Sequence, residues 1–142
     1  MLSKANAIHD GVILAARLFL PTLFLIFGWR KVRNYSGTVS QMVQDGLPMP
    51  VLATGVAIFM ELPVAFAIAV GAFTRPSALL LALYTLGTSL VEHRYWRTTG
   101  AGRLDRMEAF YKNLSIIGGL LLLYLTGAGK YSLDALWGIA PP

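Results

Sequence analysis

A single carboxylate interrupts the longest apolar stretch of the chain. The segment "FMELPVAF", residues 59–66, places Glu61 inside a run from Val51 to Phe73 that has no other charge. A charge at the centre of a bilayer costs about 2.5 to 3.5 kcal/mol on insertion scales, so Glu61 needs a partner. The positions four and eight residues away on either side are Ala53, Ala57, Ala65 and Ala69. Such a row of small side chains typically faces another helix, so we expect Glu61 to face protein and not lipid.

Arg17 is the candidate partner of this carboxylate, since it is the other ionisable group well inside an apolar segment. It lies about four residues from the centre of its predicted helix, roughly 6 Å at 1.5 Å per residue, which an arginine side chain can bridge. We therefore predict an intramembrane ion pair between Arg17 and Glu61. The pair has two interpretations that the sequence leaves open: part of a binding or proton-relay site, or a structural pair that fixes helix register.

Other polar residues of the apolar segments define a candidate pocket and a candidate cluster. The pocket would be lined by Tyr84, Thr85, Ser89 and Tyr124. The stripes of small residues around them are first of all packing faces, and a cavity is the second interpretation. A cluster on the inner membrane face would contain Lys31, His93, Trp96, Lys112 and Asn113. No metal site is predicted, because the only other histidine, His9, falls on the opposite side of the membrane.

The composition requires membrane helices to position these residues. Of the 142 residues, 56% are hydrophobic and 13% are charged, which is too apolar for a soluble domain of this size. A spanning helix needs about 20 apolar residues, so four helices would use nearly the whole length. We predict an all-α membrane protein, a four-transmembrane-helix bundle forming a single domain over residues 1–142. The predicted spans are about 12–30, 51–73, 76–93 and 110–127, with either a short interfacial helix or an ordinary loop after the first.

The charges predict the orientation of these spans. The connections after the first and third spans hold eight lysines and arginines, and the other side holds three, Lys4, Arg75 and Lys130. The positive-inside rule then places both termini in the periplasm of a bacterium. The net charge of +5 lies beside apolar segments, which favours membrane anchoring over nucleic acid. The absence of cysteine excludes thiol redox chemistry, iron–sulfur clusters and covalently attached haem.

Six segments in series resemble the DoxX family of bacterial inner-membrane proteins. They are "IFGWRKV", "GLPMP", "MELPVAFAIAVGAFTRPSAL", "HRYW", "FYKNLSIIGGLLLL" and "GAGKYSLD". The resemblance implies a four-helix membrane bundle, and some relatives are associated with thiosulfate-to-quinone oxidation or oxidative-stress complexes. It emphasises Arg17, Gly28, Lys31, Glu61, Gly71, His93, Trp96, Lys112, Asn113 and Asp134.

Three functions are consistent with these observations. The first is a small inner-membrane subunit that binds a quinone or another lipophilic molecule and supports an oxidoreductase complex, without a self-contained catalytic motif or an intrinsic cofactor. The second is a small-solute transporter, for which a homo-oligomer would form the path. The third is a non-catalytic scaffold or assembly factor, whose basic 92–112 connection would contact a partner or anionic lipid. The ligand, the partner and the oligomeric state remain open at this point.

Overall fold

The computed structural model describes residues 1–139, and every regular element in that part of the chain is helical. The first long helical segment consists of α1, Leu2–Phe19, and α2, Thr22–Arg33. The turn between them falls at Pro21, whose ring removes a backbone donor and clashes with the preceding turn. The predicted short helix after the first span is confirmed as α3, Tyr35–Gln44.

The second long segment changes its winding at the buried carboxylate. It begins with α4, Pro50–Phe59, continues through a π-helical turn, Met60–Val64, and ends with α5, Ala65–Val70. Pro63 lies inside the π-helical turn, where its missing N–H removes one bond of the regular ladder. Gly71 ends the segment with a φ of 74°, a left-handed conformation that favours glycine. Glu61 therefore lies on the irregular turn of an otherwise regular segment.

The last two long helices pack against each other along their length. They are α6, Thr74–Val91, and α7, Arg103–Thr126, joined by a connection with a 3-10 turn, Tyr95–Arg97. A short helix, α8, Leu133–Leu136, follows. The segments Leu2–Arg33, Pro50–Val70 and Arg103–Thr126 are long and apolar enough to cross a membrane. Helix α6 corresponds to the third predicted span but is not among these three segments. It is 18 residues long and starts with the polar sequence "TRPS".

The helices enclose an apolar core and present large apolar side chains outward. The core contains Ile13, Phe24, Met60, Val64, Ala65, Ile68, Ala78, Leu81, Ala82, Leu120 and Leu123. Leucines such as Leu83 and Leu90 on α6, and Leu122 and Leu125 on α7, are exposed. Outward leucines on helices of this length are typical of surfaces that contact lipid tails. The predicted all-α membrane fold class is confirmed.

Candidate functional site

Glu61 is the centre of a buried polar group of three side chains. Lys31 Nζ donates to both carboxylate oxygens, at 2.9 Å to Oε1 and 2.7 Å to Oε2. The Tyr84 hydroxyl donates to Oε1 at 2.7 Å. The side chain of Glu61 is 8% exposed and that of Lys31 is 20% exposed. The predicted pairing of Glu61 with Arg17 was wrong, because Lys31 neutralises this carboxylate.

The close approach of two helices explains why Lys31 is the partner. A Cβ atom placed on Gly28 would lie 2.9 Å from the Glu61 Cβ, so these two residues are level with each other across the contact between α2 and the π-helical turn. Lys31 follows Gly28 by three residues, which puts both on the same face of α2. Arg17 precedes Gly28 by eleven residues, about 16 Å at 1.5 Å per residue. That separation along the helix puts Glu61 beyond the reach of Arg17.

Arg17 lies at the other end of the bundle, where it links parts of the chain that are far apart in sequence. Its Nη1 donates to the Ala128 carbonyl at 2.5 Å and its Nη2 donates to the Ala69 carbonyl at 3.2 Å. The residue is 2% exposed. A Cβ on Gly71 would lie 2.9 Å from the guanidinium carbon, so this glycine leaves the space that the side chain occupies. Arg17 therefore ties α1 to the end of α5 and to the loop after α7.

Asp134 completes this end of the bundle by capping α6. Its carboxylate accepts from the Phe73 N–H at 2.6 Å and from the Thr74 N–H at 2.9 Å. The Asp134 N–H in turn donates to the Gly71 carbonyl at 2.8 Å. A carboxylate at a helix N-terminus satisfies orphan backbone donors and complements the helix dipole. The side chain that caps α6 thus comes from a distant part of the sequence.

Replacing Asp134 with alanine is expected to lower the free energy of unfolding by about 1 to 3 kcal/mol, because two backbone donors at the start of α6, one of them buried, lose their acceptor. Asp134→Asn keeps one acceptor oxygen and should lose less. Thermal unfolding of the purified protein in one detergent measures both. Asp105→Ala is the matched control, since Asp105 is an exposed aspartate in the first turn of α7. Equal unfolding temperatures for all three variants would contradict the capping role.

An apolar cleft of about 360 Å³ lies beside the Lys31 and Glu61 pair. Its walls come from the end of α3, the following turn, α4 and α6, with side chains such as Met42, Leu52 and Val56. Two ionisable residues, Tyr84 and Glu92, also line it. Tyr84 therefore connects the cleft directly to the buried carboxylate.

Basic side chains of the 92–112 connection bind the turn after α3, near this cleft. Arg94 Nη2 donates to the Asp45 carbonyl at 3.0 Å, and Arg106 pairs with the Asp45 carboxylate at 3.5 Å. Arg106 also donates to the Glu92 carbonyl. Burial raises the pKa of the Glu92 carboxyl, which lies just beyond the end of α6, against the opposing effect of the Lys31 charge. The connection is therefore fixed to the turn after α3 by charged hydrogen bonds.

The remaining predicted pocket residues line neither this cleft nor a cavity of about 830 Å³ at the opposite end of the bundle. The Thr85 hydroxyl donates to the Leu81 carbonyl, one turn back on α6. Ser89 donates to the Thr85 carbonyl and accepts from the Asn113 amide at 3.1 Å, which joins α6 to α7. Tyr124 is partly exposed on α7. Thr85 and Ser89 therefore act in helix structure and packing, and of the predicted pocket lining Tyr84 alone lines the cleft.

The predicted inner-face cluster is spread over several contacts. Lys112 Nζ and Lys31 Nζ each lie 6.0 Å from the centroid of the Phe27 ring. Trp96 is half exposed and packs edge-on against Tyr95 and Phe110. Burial lowers the pKa of His93, and the charges of Lys112 and Arg106 lower it further.

The residues that the sequence interpretation missed have recognisable signals. The sequence analysis places Lys31 in the inner-face cluster and not beside Glu61, although it follows Gly28 by three residues on the same helix face. The role of Asp134 in capping α6 has no local signal in the sequence, because its carboxylate accepts from Thr74, a residue 60 positions earlier. No group of three or more histidine, cysteine, aspartate or glutamate side chains is arranged to hold a metal ion within residues 1–139.

Comparison with known proteins places the chain in a family. The DoxX family model matches residues 12–94. Inner membrane protein YphA of Escherichia coli is 46% identical over 91% of this chain and 92% of its own length. Inner membrane protein YqjF of the same organism is 39% identical over 91% and 94%. The ER-derived vesicles protein ERV29 of Saccharomyces cerevisiae is 39% identical over 46% of this chain and 21% of its own length.

No solved structure matches the chain. The names of the two bacterial relatives and the apolar helices support a location in the inner membrane. The family model covers more than half of the sequence, and the bacterial relatives extend the similarity over nearly all of it. The chain belongs to the DoxX family of membrane proteins.

Proposed function

We propose that this DoxX-family protein is a small inner-membrane subunit that binds a quinone or another lipophilic molecule and supports an oxidoreductase complex. The observation that carries the proposal is the apolar cleft beside Tyr84, whose hydroxyl is hydrogen-bonded to the buried pair of Glu61 and Lys31. Ligand sites are typically apolar concavities with a few precisely placed polar groups. This cleft has that character, and it lies among helices of a membrane protein.

The cleft fits a ligand with an apolar body and a hydrogen-bonding head. Met42, Leu52 and Val56 would contact the apolar part. The Tyr84 hydroxyl would offer its proton to a ligand carbonyl in place of Glu61, since Lys31 continues to neutralise the carboxylate. A bound quinone would supply two-electron chemistry between the membrane and a partner enzyme. The chain itself would supply binding, orientation and proton donors.

A hydrogen-bonded path leads from the cleft to a partly exposed side chain. It runs from the Tyr84 hydroxyl to Glu61 and then to Lys31, which is partly exposed near the end of α2. This arrangement would let a proton taken up or released in the cleft be exchanged with water at that end. By the positive-inside rule that end would face the cytoplasm and both termini the periplasm, so the basic 92–112 connection would be available to a cytoplasmic partner.

Mass spectrometry of organic extracts tests the proposal. Wild type, Tyr84→Phe, Ala53→Phe and Tyr124→Phe would be purified in a mild detergent at equal protein amounts. Ala53 lines the cleft, so phenylalanine there should fill it, whereas Tyr124 lies outside it and provides the matched control. We expect a stoichiometric quinone with wild type and the control, and at least a fivefold loss with Ala53→Phe and Tyr84→Phe.

Two outcomes would contradict this proposal. Retention of a quinone by all four proteins would mean that it binds elsewhere. Absence of any lipophilic ligand from wild type would favour the scaffold function, in which the buried polar group only fixes helix packing. The transporter alternative is less favoured, because the carboxylate that would carry a coupled proton is already neutralised by Lys31 at 2.7 Å.

A further inference from the structure

A second cavity, of about 830 Å³, lies at the opposite end of the bundle from Lys31. Three parts of the chain enclose it: the first half of α1, the first turn of α6, and the loop after α7 with the segment that follows. Its lining combines apolar side chains such as Ile13 and Phe73 with basic side chains such as Arg75 and Lys130. The volume is within the range of sites for small organic ligands, about 300 to 1,000 Å³.

The two carboxylates that line this cavity are already engaged by backbone donors. Asp134 accepts from the N–H groups at the start of α6, at 2.6 and 2.9 Å. Asp10 Oδ1 accepts from the Lys130 N–H at 3.2 Å. Within residues 1–139, no carboxylate forms an ion pair or hydrogen bond with the side chain of Arg75 or Lys130. The cavity therefore offers two cationic side chains whose donors are available.

The loop after α7 is shaped around one of these cations. Gly127 has a φ of +77°, and a Cβ on it would lie 3.2 Å from Arg75 Nε and 3.4 Å from Nη2. A side chain at this position would both strain the backbone and crowd the guanidinium. The glycine thus lets the loop backbone lie directly against the guanidinium of Arg75, in the wall of the cavity.

Two of the basic residues at this end of the bundle line the cavity. Apart from the buried Arg17, whose Nη atoms already donate to carbonyls, the lysines and arginines at this end are Lys4, Arg75 and Lys130, and Arg75 and Lys130 line the cavity. Because backbone N–H groups engage the two carboxylates of the lining, the side chains of Arg75 and Lys130 are the charged donors that the cavity offers to an anion.

We propose that this cavity binds an amphiphilic organic anion, with its phosphate or carboxylate group held by Arg75 and Lys130. Arginine and lysine bind such groups through charge-assisted hydrogen bonds, which are stronger than neutral ones. The apolar body of the ligand lies against Ile13 and Phe73. The same chemistry is offered by the headgroup of an anionic phospholipid and by a soluble amphiphilic anion.

Octyl phosphate is the probe that tests this site. The protein would be placed in phosphatidylcholine nanodiscs, with Trp29 and Trp96 replaced by phenylalanine so that Trp137 reports binding. Trp137 is a suitable reporter because its ring centroid lies 5.8 Å from that of Phe73 in the cavity wall. We expect saturable binding of octyl phosphate, at least tenfold weaker binding for Arg75→Gln with Lys130→Gln, and no saturable response to octanol.

A matched double variant separates the site from general charge effects. Arg33→Gln with Arg97→Gln removes the same charge from exposed positions at the other end of the bundle and should leave the affinity unchanged. Equal affinities for the two double variants, or saturable octanol binding equal to that of octyl phosphate, would overturn the proposal. Arg75→Lys with Lys130 intact should recover most of the affinity, because it retains the charge.

A competition experiment identifies the source of the anion. Adding phosphatidylglycerol to the nanodiscs should weaken the apparent affinity for octyl phosphate at least fivefold if the natural ligand is a lipid. An unchanged affinity would assign the site to a soluble anion. Either conclusion applies only if Arg75→Gln with Lys130→Gln weakens octyl phosphate binding at least tenfold. Tyr84→Phe should not change this affinity, so the result is independent of the cleft at the other end.

Discussion

Replacing Lys31 with methionine is expected to lower the free energy of unfolding by about 3 to 5 kcal/mol, the largest effect that we predict for a single side chain. The methionine keeps an apolar chain of similar length but leaves Glu61 charged in a site where its side chain is 8% exposed. The hydrogen bond from Tyr84 remains and compensates only part of the lost interaction. Thermal and urea unfolding of the detergent-purified protein measure the loss.

A second substitution separates the ion pair from simple packing. In Lys31→Met with Glu61→Gln, no uncompensated charge remains, so most of the lost stability should return. Lys112→Met is the matched control, because Lys112 also lies beside the Phe27 ring but has no ion pair among the described residues. A double variant that is less stable than Lys31→Met would contradict the pairing.

Replacing Gly28 with alanine is expected to lower the free energy of unfolding by about 1 to 3 kcal/mol through overpacking. The added methyl group would lie 2.9 Å from both the Glu61 Cβ and the Leu62 Cγ, and 3.1 Å from the Glu61 backbone carbon. The two helices would have to separate, which would also weaken the hydrogen bonds between Lys31 and Glu61. Gly28→Ala should therefore lower both the unfolding temperature and the amount of quinone that the cleft retains.

Gly118 on α7 provides the control for this substitution. A Cβ there would have nothing within 4 Å, so Gly118→Ala should be neutral or stabilising, by up to about 1 kcal/mol from helix propensity. If Gly28→Ala unfolded at the same temperature as Gly118→Ala, the close approach of α2 to the π-helical turn would not limit stability. The comparison isolates crowding from the general effect of a glycine-to-alanine change.

The burial of Glu61 could be predicted from the sequence. Its partner could not be predicted from the distance between Arg17 and the centre of its span alone. The alanines around Glu61 indicated a helix contact, and Ala57 and Ala65 are buried as that pattern predicts. The predicted pairing with Arg17 is measured from the centre of a span at 12–30, but the helical segment of α1 and α2 extends from Leu2 to Arg33. The relative level of two helices is set by where their backbones come closest, and here that point is Gly28.

The surroundings of Arg17 illustrate a different limit of sequence interpretation. Its burial was predicted, but its acceptors are the carbonyls of Ala69 and Ala128, at the end of α5 and in the loop after α7. Every residue has a backbone carbonyl, so residue types alone do not identify which one serves as an acceptor. The π-helical turn had a local signal in Pro63, two residues after Glu61, although proline alone does not distinguish a kink from a change of winding.

The bonds of Arg17 and Asp134 set the order in which the protein can be completed during synthesis. The Ala128 carbonyl that accepts from Arg17 is 111 residues later in the chain, and the Asp134 carboxylate that accepts from Thr74 is 60 residues later. Until the segment after α7 has emerged from the ribosome, a buried guanidinium and two helix donors remain without these partners. Contacts between residues so far apart in sequence also form late in folding, because the entropy of closing the intervening loop is lost before the contact stabilises the chain. The end of the bundle that Arg17 and Asp134 hold together is therefore the last part that can be completed during synthesis.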